Sequence, residues 1–322
     1  MTEIIAADIG GTNARFARAS LNGAGGPKLG VVRKYRVADF PSLQSCWSAF
    51  AADDGGPLPD AASIAFATAI GRDAIKLTNS NWVVRPDDLA RELGLARVRL
   101  VNDFEAVAHA VSRLPPENLP LLFGEDRPFP RDGGVTIMGP GTGLGVAMIA
   151  YADGHPHVIA TEGGHVDFAP LDALEQQILD HLRGEFLRVS VERIVSGPGL
   201  NHIYRALATI GHHRVAMMTD AELWRAAIEG GDAHARAALD RFCMAYGAVA
   251  GDLALAHGPH AVVLAGGLTQ RLRDHLPRSH FHGRFTAKGR FESLMAAIPV
   301  RLAIHEEIGL FGAAAAYREE RP

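Results

Sequence analysis

A Gly-Gly-Thr-Asn turn near the N-terminus has the residue types of an anion-binding site. It comprises Gly10, Gly11, Thr12 and Asn13 and joins two stretches, residues 3–7 and 16–19, that predict β-strands. Glycines allow a close approach of the backbone, so such a turn can direct several N–H groups and two polar side chains at one anion. An ordinary hairpin turn without a ligand is the alternative, because turns of this composition are common.

Asp8 stands at the entrance of this turn and would face the same anion. A carboxylate in that position makes sense if a hydrated divalent cation lies between it and the anion, since Mg²⁺ keeps several waters and binds through few carboxylates and phosphate oxygens. The segment therefore predicts a site for the metal-bound phosphate chain of a nucleotide.

A second glycine-rich turn covers residues 139–145, with the sequence GPGTGLG. It lacks the Gly-Lys-Ser/Thr ending of a P-loop, and the strand-like residues after it do not fit a dinucleotide-binding fingerprint. The hydroxyl of Thr142 and the neighbouring backbone amides could contact a phosphate. A tight hairpin without a ligand is the alternative.

Asn102 and Asp103 stand where an apolar strand ends and a helix begins. In α/β proteins, reactive groups lie at such strand ends. Asp103 could accept the proton of an attacking hydroxyl, and Asn102 could hold a neighbouring hydroxyl of the same substrate. In the alternative interpretation, Asp103 is only the N-cap of the following helix.

Three further side chains suit a polyol. Glu162 and His165 flank a Gly-Gly bend that could direct both side chains toward one point, and both groups accept hydrogen bonds from hydroxyls. His165 could instead form a structural pair with Asp167. Glu192 precedes the segment RIVSGPG and is the third candidate, although alone it would be an ordinary acid on a helix surface.

Gly266 and Gly267 end a buried strand and open a helix. Bare backbone at that point leaves room for an adenine or a ribose ring. Close packing of the strand on the helix is the alternative explanation for the two glycines.

The composition excludes several classes of protein. A chain of 322 residues suits two domains, and a formal net charge of -4 provides no broad basic surface for nucleic acid. Cys46 and Cys243 form no metal or redox pattern, and such low cysteine usage favours a reducing cytoplasm. The 15 histidines lack metal-ligand spacing. We expect neither a signal peptide nor a membrane-spanning segment.

Strand and helix patterns alternate along the chain and predict an α/β protein on mixed sheets. The predicted strands beyond the two hairpins are residues 31–37, 62–67, 74–77, 98–101, 260–265 and 300–305, and the predicted helices are 41–52, 86–93, 103–113 and 309–317. Residues 115–132 predict a connection between lobes, and residues 172–257 a broken helical region whose longest helix is capped by Asp232. The pattern of strand, glycine-rich turn and strand occurs twice, which suggests two related lobes.

Six segments fall in order along nearly the full length: residues 8–15, 102–104, 139–145, 162–170, 190–199 and 265–267. Together they resemble the bacterial glucokinase family, the non-ROK, hexokinase-like branch of the actin/hexokinase/heat-shock-70 fold. The motif EGGHVDFAP followed by ERIVSGPG is highly specific for this family.

This resemblance implies an α/β, two-lobed actin-like ATPase (ribonuclease H-like) fold around a deep cleft. The smaller lobe would contain residues 1–110 plus 304–322, and the larger lobe residues 111–303. The C-terminal helix would return to the first lobe. Family members are usually cytoplasmic homodimers, and we expect the same here.

The resemblance also implies the reaction and the residues that perform it. ATP would phosphorylate D-glucose at its 6-hydroxyl, feeding glycolysis, with Asp103 as the general base and Mg²⁺ near Asp8, through water. The sugar hydroxyls would be held by Asn102, Glu162, His165 and Glu192. The nucleotide would be held by Asp8, Gly10, Gly11, Thr12, Asn13, Thr142, Gly143, Gly266 and Gly267.

The chain departs from the family pattern in one loop, at residues 66–73, where many relatives carry a proline followed by a Gly-Asp pair. The departure affects the expected conformation of the loop and possible fine specificity for the sugar, but not the expected base. Two other functions stay open: a kinase for mannose, fructose or an N-acetyl hexosamine, and a sugar sensor without catalysis.

Overall fold

The computed structural model describes residues 2–21, 26–68, 70, 74–77, 81–258 and 260–317. The chain divides into two compact units. The first unit contains Met1–Asn118 and His305–Pro322, and the second contains Leu119–Ile304.

The first unit is built on a mixed β-sheet. Its elements up to residue 111 are β1 (Glu3–Ile9), β2 (Asn13–Ser20), β3 (Lys28–Leu29), β4 (Arg33–Arg36), α1 (Leu43–Asp54), β5 (Ala61–Phe66), β6 (Ile75–Lys76), β7 (Val83–Val84), α2 (Pro86–Glu92), β8 (Arg97–Asn102) and α3 (Asp103–Val111). The strand order in the sheet is β3-β2-β1-β5-β8, and β4 also pairs with β2. Strand β1 is antiparallel to β2 and parallel to β5, and β5 is parallel to β8.

Both faces of this sheet are buried, as the alternating residues of β1 show. Ile5 and Ile9 point into a core that also contains Phe50, while Ile4 packs on the opposite face with Leu310. Side chains of a strand alternate between the two faces of a sheet, so a strand covered on both sides becomes apolar along its whole length.

The second unit is built on a mixed sheet. Its elements are β9 (Leu121–Phe123), β10 (Gly133–Pro140), β11 (Leu144–Ala152), β12 (His155–Thr161), α4 (Ala173–Arg183), α5 (Gly199–Ile210), α6 (Asp220–Glu229), α7 (Ala233–His257), β13 (Ala261–Leu264), α8 (Gly267–Arg271), α9 (Phe281–Thr286), α10 (Glu292–Ala297) and β14 (Val300–Leu302). The strand order in the sheet is β12-β11-β10-β13-β14-β9. As predicted, Asp232 caps α7: its side chain accepts a hydrogen bond from the backbone N–H of Ala235. In the described part of the chain, no helix has the length and apolar character needed to cross a bilayer.

These elements confirm the predicted α/β class and correct several details. The predicted connection at residues 115–132 contains β9, which pairs with β14. Strand β12 was not predicted, because it lies at the sheet edge and has no continuous apolar face. The strand predicted at residues 31–37 is shorter, since Val37–Asp39 forms a 3-10 turn. Helix α1 begins after Pro41 because the side chain of Ser42 caps it.

The last helix, α11 (Ile308–Ala316), belongs to the first unit and packs on α3. Its alanines lie with Val101 in a core of small side chains. Gly312 faces the carbonyl oxygen of Ala106 so closely that a Cβ at this position would overlap it. The two helices can therefore approach each other only because Gly312 has no side chain.

We predict that Gly312→Ala lowers the free energy of unfolding by about 2 kcal/mol, because the added methyl group must push α11 away from α3. The control is Gly283→Ala in α9, where a Cβ would meet no atom of the described residues within 4 Å. That control should be neutral or slightly stabilising, since alanine favours a helix by about 1 kcal/mol over glycine. Urea unfolding followed by circular dichroism measures both, and equal stability of the two variants would contradict the close approach.

Candidate functional site

The strand register of the first unit brings the predicted anion turn and the predicted base to the same end of the sheet, where its parallel strands finish. Ile9 is paired with Phe66, and Phe66 is paired with Asn102. Gly10 and Asp103 follow directly after the two outer residues of this row. Because the three strands run parallel, both residues leave the sheet at the same end, where α/β proteins place ligand sites.

The turn between β1 and β2 is shorter than the sequence predicted. Asn13 already belongs to β2, so the turn itself consists of Gly10, Gly11 and Thr12. The backbone N–H of Gly10 donates to the carbonyl oxygen of Asn13 at 2.9 Å, and Thr12 accepts from the N–H of Val37 at the same distance. These bonds fix the turn, while the Thr12 side chain stays exposed.

The carboxylate of Asp8 is paired with Arg15 and lies against the N-terminal end of α11. Nη1 of Arg15 donates to Oδ2 of Asp8 at 2.9 Å, and Nε of Arg15 lies 3.5 Å from Oε2 of Glu307. A Cβ at Gly309 would lie 2.7 Å from Oδ2 of Asp8, so the first turn of α11 lies against this carboxylate. Burial raises the pKa of Asp8, and both the charge and the hydrogen bond of Arg15 oppose that rise.

The chemistry of Asp8 fits Mg²⁺ in one specific way. Within the described ranges, no group of three or more histidine, cysteine, aspartate or glutamate side chains is arranged to hold a metal ion. One carboxylate suits an Mg²⁺ ion that keeps most of its waters and takes its other ligands from phosphate oxygens.

Arg15, Glu307 and Gly309 were not assigned roles from the sequence, although Arg15 stands directly opposite Asp8 in the β1–β2 register.

Asn102, and not Asp103, is the N-cap of α3. Oδ1 of Asn102 accepts from the backbone N–H groups of Phe104 at 2.9 Å and Glu105 at 3.3 Å, and Nδ2 donates to the carbonyl oxygen of Thr68 at 3.1 Å. Asp103 is the first residue of the helix, and its Oδ1 accepts from Phe104 at 2.9 Å. The interpretation of Asp103 as the N-cap is therefore wrong.

The capping role of Asn102 limits what its side chain can offer a substrate. Its oxygen is engaged by two backbone groups, whereas an amide nitrogen carries two N–H donors and the bond to Thr68 uses one. A sugar hydroxyl would be met by the second N–H. Contact of Asn102 with the sugar stays a prediction.

A second row of paired residues orders the candidate groups of the second unit. The row runs across the sheet through Thr161, Val146, Met138 and Leu264. Glu162, the glycine-rich turn and Gly266 lie just beyond this row, at the same end of the strands. The turn is again shorter than predicted, because β10 extends to Pro140 and β11 begins at Leu144, which leaves residues 141–143, with Thr142 exposed.

Glu192 contacts this glycine-rich turn directly. It lies on the 3-10 turn Val191–Arg193, and its Oε2 accepts from the backbone N–H of Leu144 at 2.9 Å. The same carboxylate oxygen occupies the position that a Cβ of Gly143 would need. The sequence predicted Glu192 for the sugar, and the structure additionally places its carboxylate on the turn predicted for the phosphate.

His165 lies between two acids. Its Nε2 is 3.8 Å from Oε2 of Glu162, and its Nδ1 is 4.0 Å from Oε1 of Glu192. Both distances are too long for hydrogen bonds, so the His165 ring lies beside the two carboxylates without bonding to either. Asp167 pairs with Nε of Arg188 at 2.6 Å, so the alternative of a His165–Asp167 pair is not the arrangement found. The 3-10 turn Gly163–His165 thus brings together the three side chains predicted for a polyol.

Gly266 and Gly267 connect β13 to α8. Gly266 has a φ of 88°, a left-handed value that favours glycine. A Cβ at Gly267 would meet no atom of the described residues within 4 Å, so close packing of strand on helix does not explain this glycine. Much of the loop in which the sequence departs from the family pattern, including residues 69 and 71–73, lies outside the described residues.

Comparison with known proteins identifies the family of this chain. The chain matches the glucokinase family over residues 5–320. It is 50% identical to the glucokinase of Zymomonas mobilis over 315 residues, which cover 98% of this chain and 97% of that protein.

Solved structures agree with this match. A glucokinase from an Antarctic psychrotroph superimposes with a TM-score of 0.88 at 30% identity, covering 99% of this chain and 100% of that one. A ROK family glucokinase from Streptomyces griseus, crystallised with glucose and AMPPNP, has a TM-score of 0.63 at 21% identity, covering 99% and 100% of the two chains, and shares the fold. These neighbours confirm the predicted actin-like ATPase fold class.

We predict that Arg15→Met destabilises the protein by about 2 kcal/mol at neutral pH, because it leaves a largely buried carboxylate without its cation. Since burial raises the pKa of Asp8, folding favours its protonated form. The contribution of Asp8 protonation to the free energy of unfolding is fully present below the ordinary pKa of aspartate and is lost as the pH rises through the raised pKa of Asp8.

The loss caused by Arg15→Met should therefore grow between about pH 4 and pH 7, because the raised pKa of Asp8 rises further when Arg15 is absent. Urea unfolding at several pH values measures it. In the double variant Asp8→Asn/Arg15→Met the growth with pH should disappear. A loss that is the same at every pH would contradict the pairing.

Proposed function

The chain belongs to the glucokinase family, and on that premise we propose that it transfers the γ-phosphoryl group of ATP to the 6-hydroxyl of D-glucose. The observation that carries the proposal is 50% identity to the Zymomonas mobilis glucokinase over 98% of this chain. A likeness at this level goes beyond a shared fold, which alone would not indicate a substrate. The glucose and AMPPNP in the Streptomyces griseus structure support glucose and ATP as the two substrates.

In the proposed reaction Asp103 is the general base. The 6-hydroxyl oxygen forms a bond to the γ-phosphorus while the bond from that phosphorus to the departing ADP oxygen breaks. The hydroxyl proton passes to the Asp103 carboxylate and then to solvent. Phosphoryl transfer requires positioning and electrostatic stabilisation more than covalent help from the protein, so the base chiefly orients the attacking oxygen. The position of Asp103 at the carboxyl end of β8 supports this role.

The sugar would be held by four side chains: Asn102, Glu162, His165 and Glu192. The proximity of His165 to Glu162 and Glu192, at 3.8 and 4.0 Å, supports a shared role for these three. Carboxylates accept hydrogen bonds from hydroxyls, whereas imidazole and amide groups can also donate them, so the set can recognise a ring that carries several hydroxyls.

The nucleotide would be held by backbone and small side chains. The proposed phosphate contacts are Gly10, Gly11, Thr12, Asn13, Thr142 and Gly143, and Gly266 and Gly267 would lie next to the adenosine. Asp8 would hold a hydrated Mg²⁺ ion. The chemistry that this ion supplies is neutralisation of the negative charge on the phosphate oxygens.

We also propose that the enzyme is a cytoplasmic homodimer whose product, glucose 6-phosphate, enters glycolysis. Both cysteines, Cys46 and Cys243, are buried and free, in agreement with a reducing compartment. The dimer rests on the family resemblance.

A coupled assay for sugar 6-phosphates tests the proposed function. Purified protein is supplied with Mg-ATP and, in turn, with glucose, mannose, fructose and N-acetylglucosamine. We expect the highest kcat/KM with glucose. A higher value with another hexose would replace the proposed substrate, and glucose binding by calorimetry without turnover on any sugar would indicate a sensor.

We predict that Asp103→Asn lowers kcat by ~100-fold or more while glucose still binds, because the amide cannot accept the hydroxyl proton. Asp220→Asn is the matched control, since Asp220 is the first residue of α6 as Asp103 is of α3. The control should keep turnover close to that of the unmodified protein. Turnover of Asp103→Asn within a few-fold of the unmodified protein would remove Asp103 from the role of base.

A further inference from the structure

The backbone of Leu144 is contacted on both of its polar groups, the N–H and the carbonyl oxygen, by the segments proposed to bind the sugar. Its N–H donates to Oε2 of Glu192 at 2.9 Å. Its carbonyl oxygen packs against Gly164, in the bend between Glu162 and His165, so closely that a Cβ at Gly164 would overlap it. Leu144 is the first residue of β11 and directly follows the turn proposed to bind phosphate. The end of that turn is therefore in contact with both sugar segments.

The start of the turn is held by the segment that carries Glu192. The backbone N–H of Gly197 donates to the carbonyl oxygen of Gly141 at 2.7 Å. Between these two points, the Glu192 carboxylate lies against Gly143. Within the turn, the N–H of Gly141 donates to the carbonyl oxygen of Gly143 at 2.8 Å. Because a turn this rich in glycine has many accessible backbone conformations, the external contacts add to that bond in selecting one.

The two oxygens of Glu192 have different surroundings. Oε2 accepts from Leu144, whereas Oε1 lies toward His165, at 4.0 Å from its Nδ1. The side chain is 29% exposed. One oxygen therefore holds the turn, and the other is on the side where the second proposed sugar residue lies.

We propose that Glu192 is a positioning residue for the phosphate turn, in addition to its role at the sugar. This inference rests on the proposed function, because it takes the turn of residues 141–143 as a nucleotide contact. Through the bond to Leu144, Glu192 fixes the direction of the amides in the turn before any nucleotide arrives. A hydrogen bond to an ionised acceptor is roughly twice as strong as a neutral one, so this carboxylate is an effective tether.

The test compares three variants in binary complexes without glucose. Glu192→Ala removes the acceptor, Glu192→Gln keeps an oxygen that can accept from Leu144, and Glu162→Ala removes a sugar contact without touching the turn. Calorimetric titration with Mg-AMPPNP should show about tenfold weaker binding for Glu192→Ala, the effect of losing one charge-assisted hydrogen bond. Glu192→Gln should recover most of this affinity, and Glu162→Ala should bind Mg-AMPPNP normally.

Glucose titrations of the same proteins should give a different pattern. All three variants should lose glucose affinity, because each alters a proposed sugar contact, whereas only Glu192→Ala should lose most of its nucleotide affinity. If Glu192→Ala binds Mg-AMPPNP as tightly as the unmodified protein, the proposal is wrong. If Glu192→Ala does not fold, Glu192→Met takes its place, because methionine fills a similar volume without an acceptor.

Hydrogen exchange of the Leu144 amide separates this proposal from the proposed function. The amide should be protected in the unmodified protein and in Glu192→Gln, and should exchange faster in Glu192→Ala. This readout needs no ligand. If the unmodified protein binds neither glucose nor Mg-AMPPNP, the proposed function is wrong. If the Leu144 amide of Glu192→Ala exchanges as slowly as that of the unmodified protein, the proposal that Glu192 positions the turn is wrong.

Discussion

The register of parallel strands is the constraint on which the candidate groups of each unit depend. In the first unit, the row from Ile9 through Phe66 to Asn102 ends three strands at one level. In the second unit, the row through Met138 and Leu264 does the same. Because side chains alternate along a strand, a slip of one residue in either row would move every side chain at these strand ends to the opposite face of the sheet.

The buried faces of the sheets enforce these rows. In the first unit, β1 has apolar residues on both faces, and each set packs into its own core, so a shifted register would disrupt the packing of both cores. The groups proposed for chemistry are therefore placed by the packing of residues that take no part in it. This explains why they can lie on short turns and still have defined positions.

Several polar groups in these sites also make structural contacts within the protein. Asn102 caps α3, Arg15 neutralises Asp8, and Glu192 holds the backbone of Leu144. A buried or half-buried polar group must find partners, and near a turn the nearest partners are backbone N–H groups. Contacts with a ligand must therefore share or replace bonds that already exist.

The sequence predicted the α/β class and the residues at the strand ends well, because apolar strands that end in glycine or acid leave a strong local signal. It did not predict which of two adjacent residues caps α3, since both asparagine and aspartate suit a cap, and only the extended backbone of Asn102, with ψ of 154°, decides it. The contacts of Asp8 with Gly309 and of Leu144 with Glu192 join residues distant in sequence, and a local pattern does not contain them.

The order of elements along the chain also has a consequence for synthesis. Strand β1 leaves the ribosome first, yet the apolar face formed by Ile4 is covered by Leu310 of α11, which follows the whole second unit. Domains generally fold as units as they emerge. The second unit is continuous and can complete its core early, whereas the first unit must keep one face of its sheet uncovered until α11 has been made. In a nascent chain this face is therefore without its cover for most of translation.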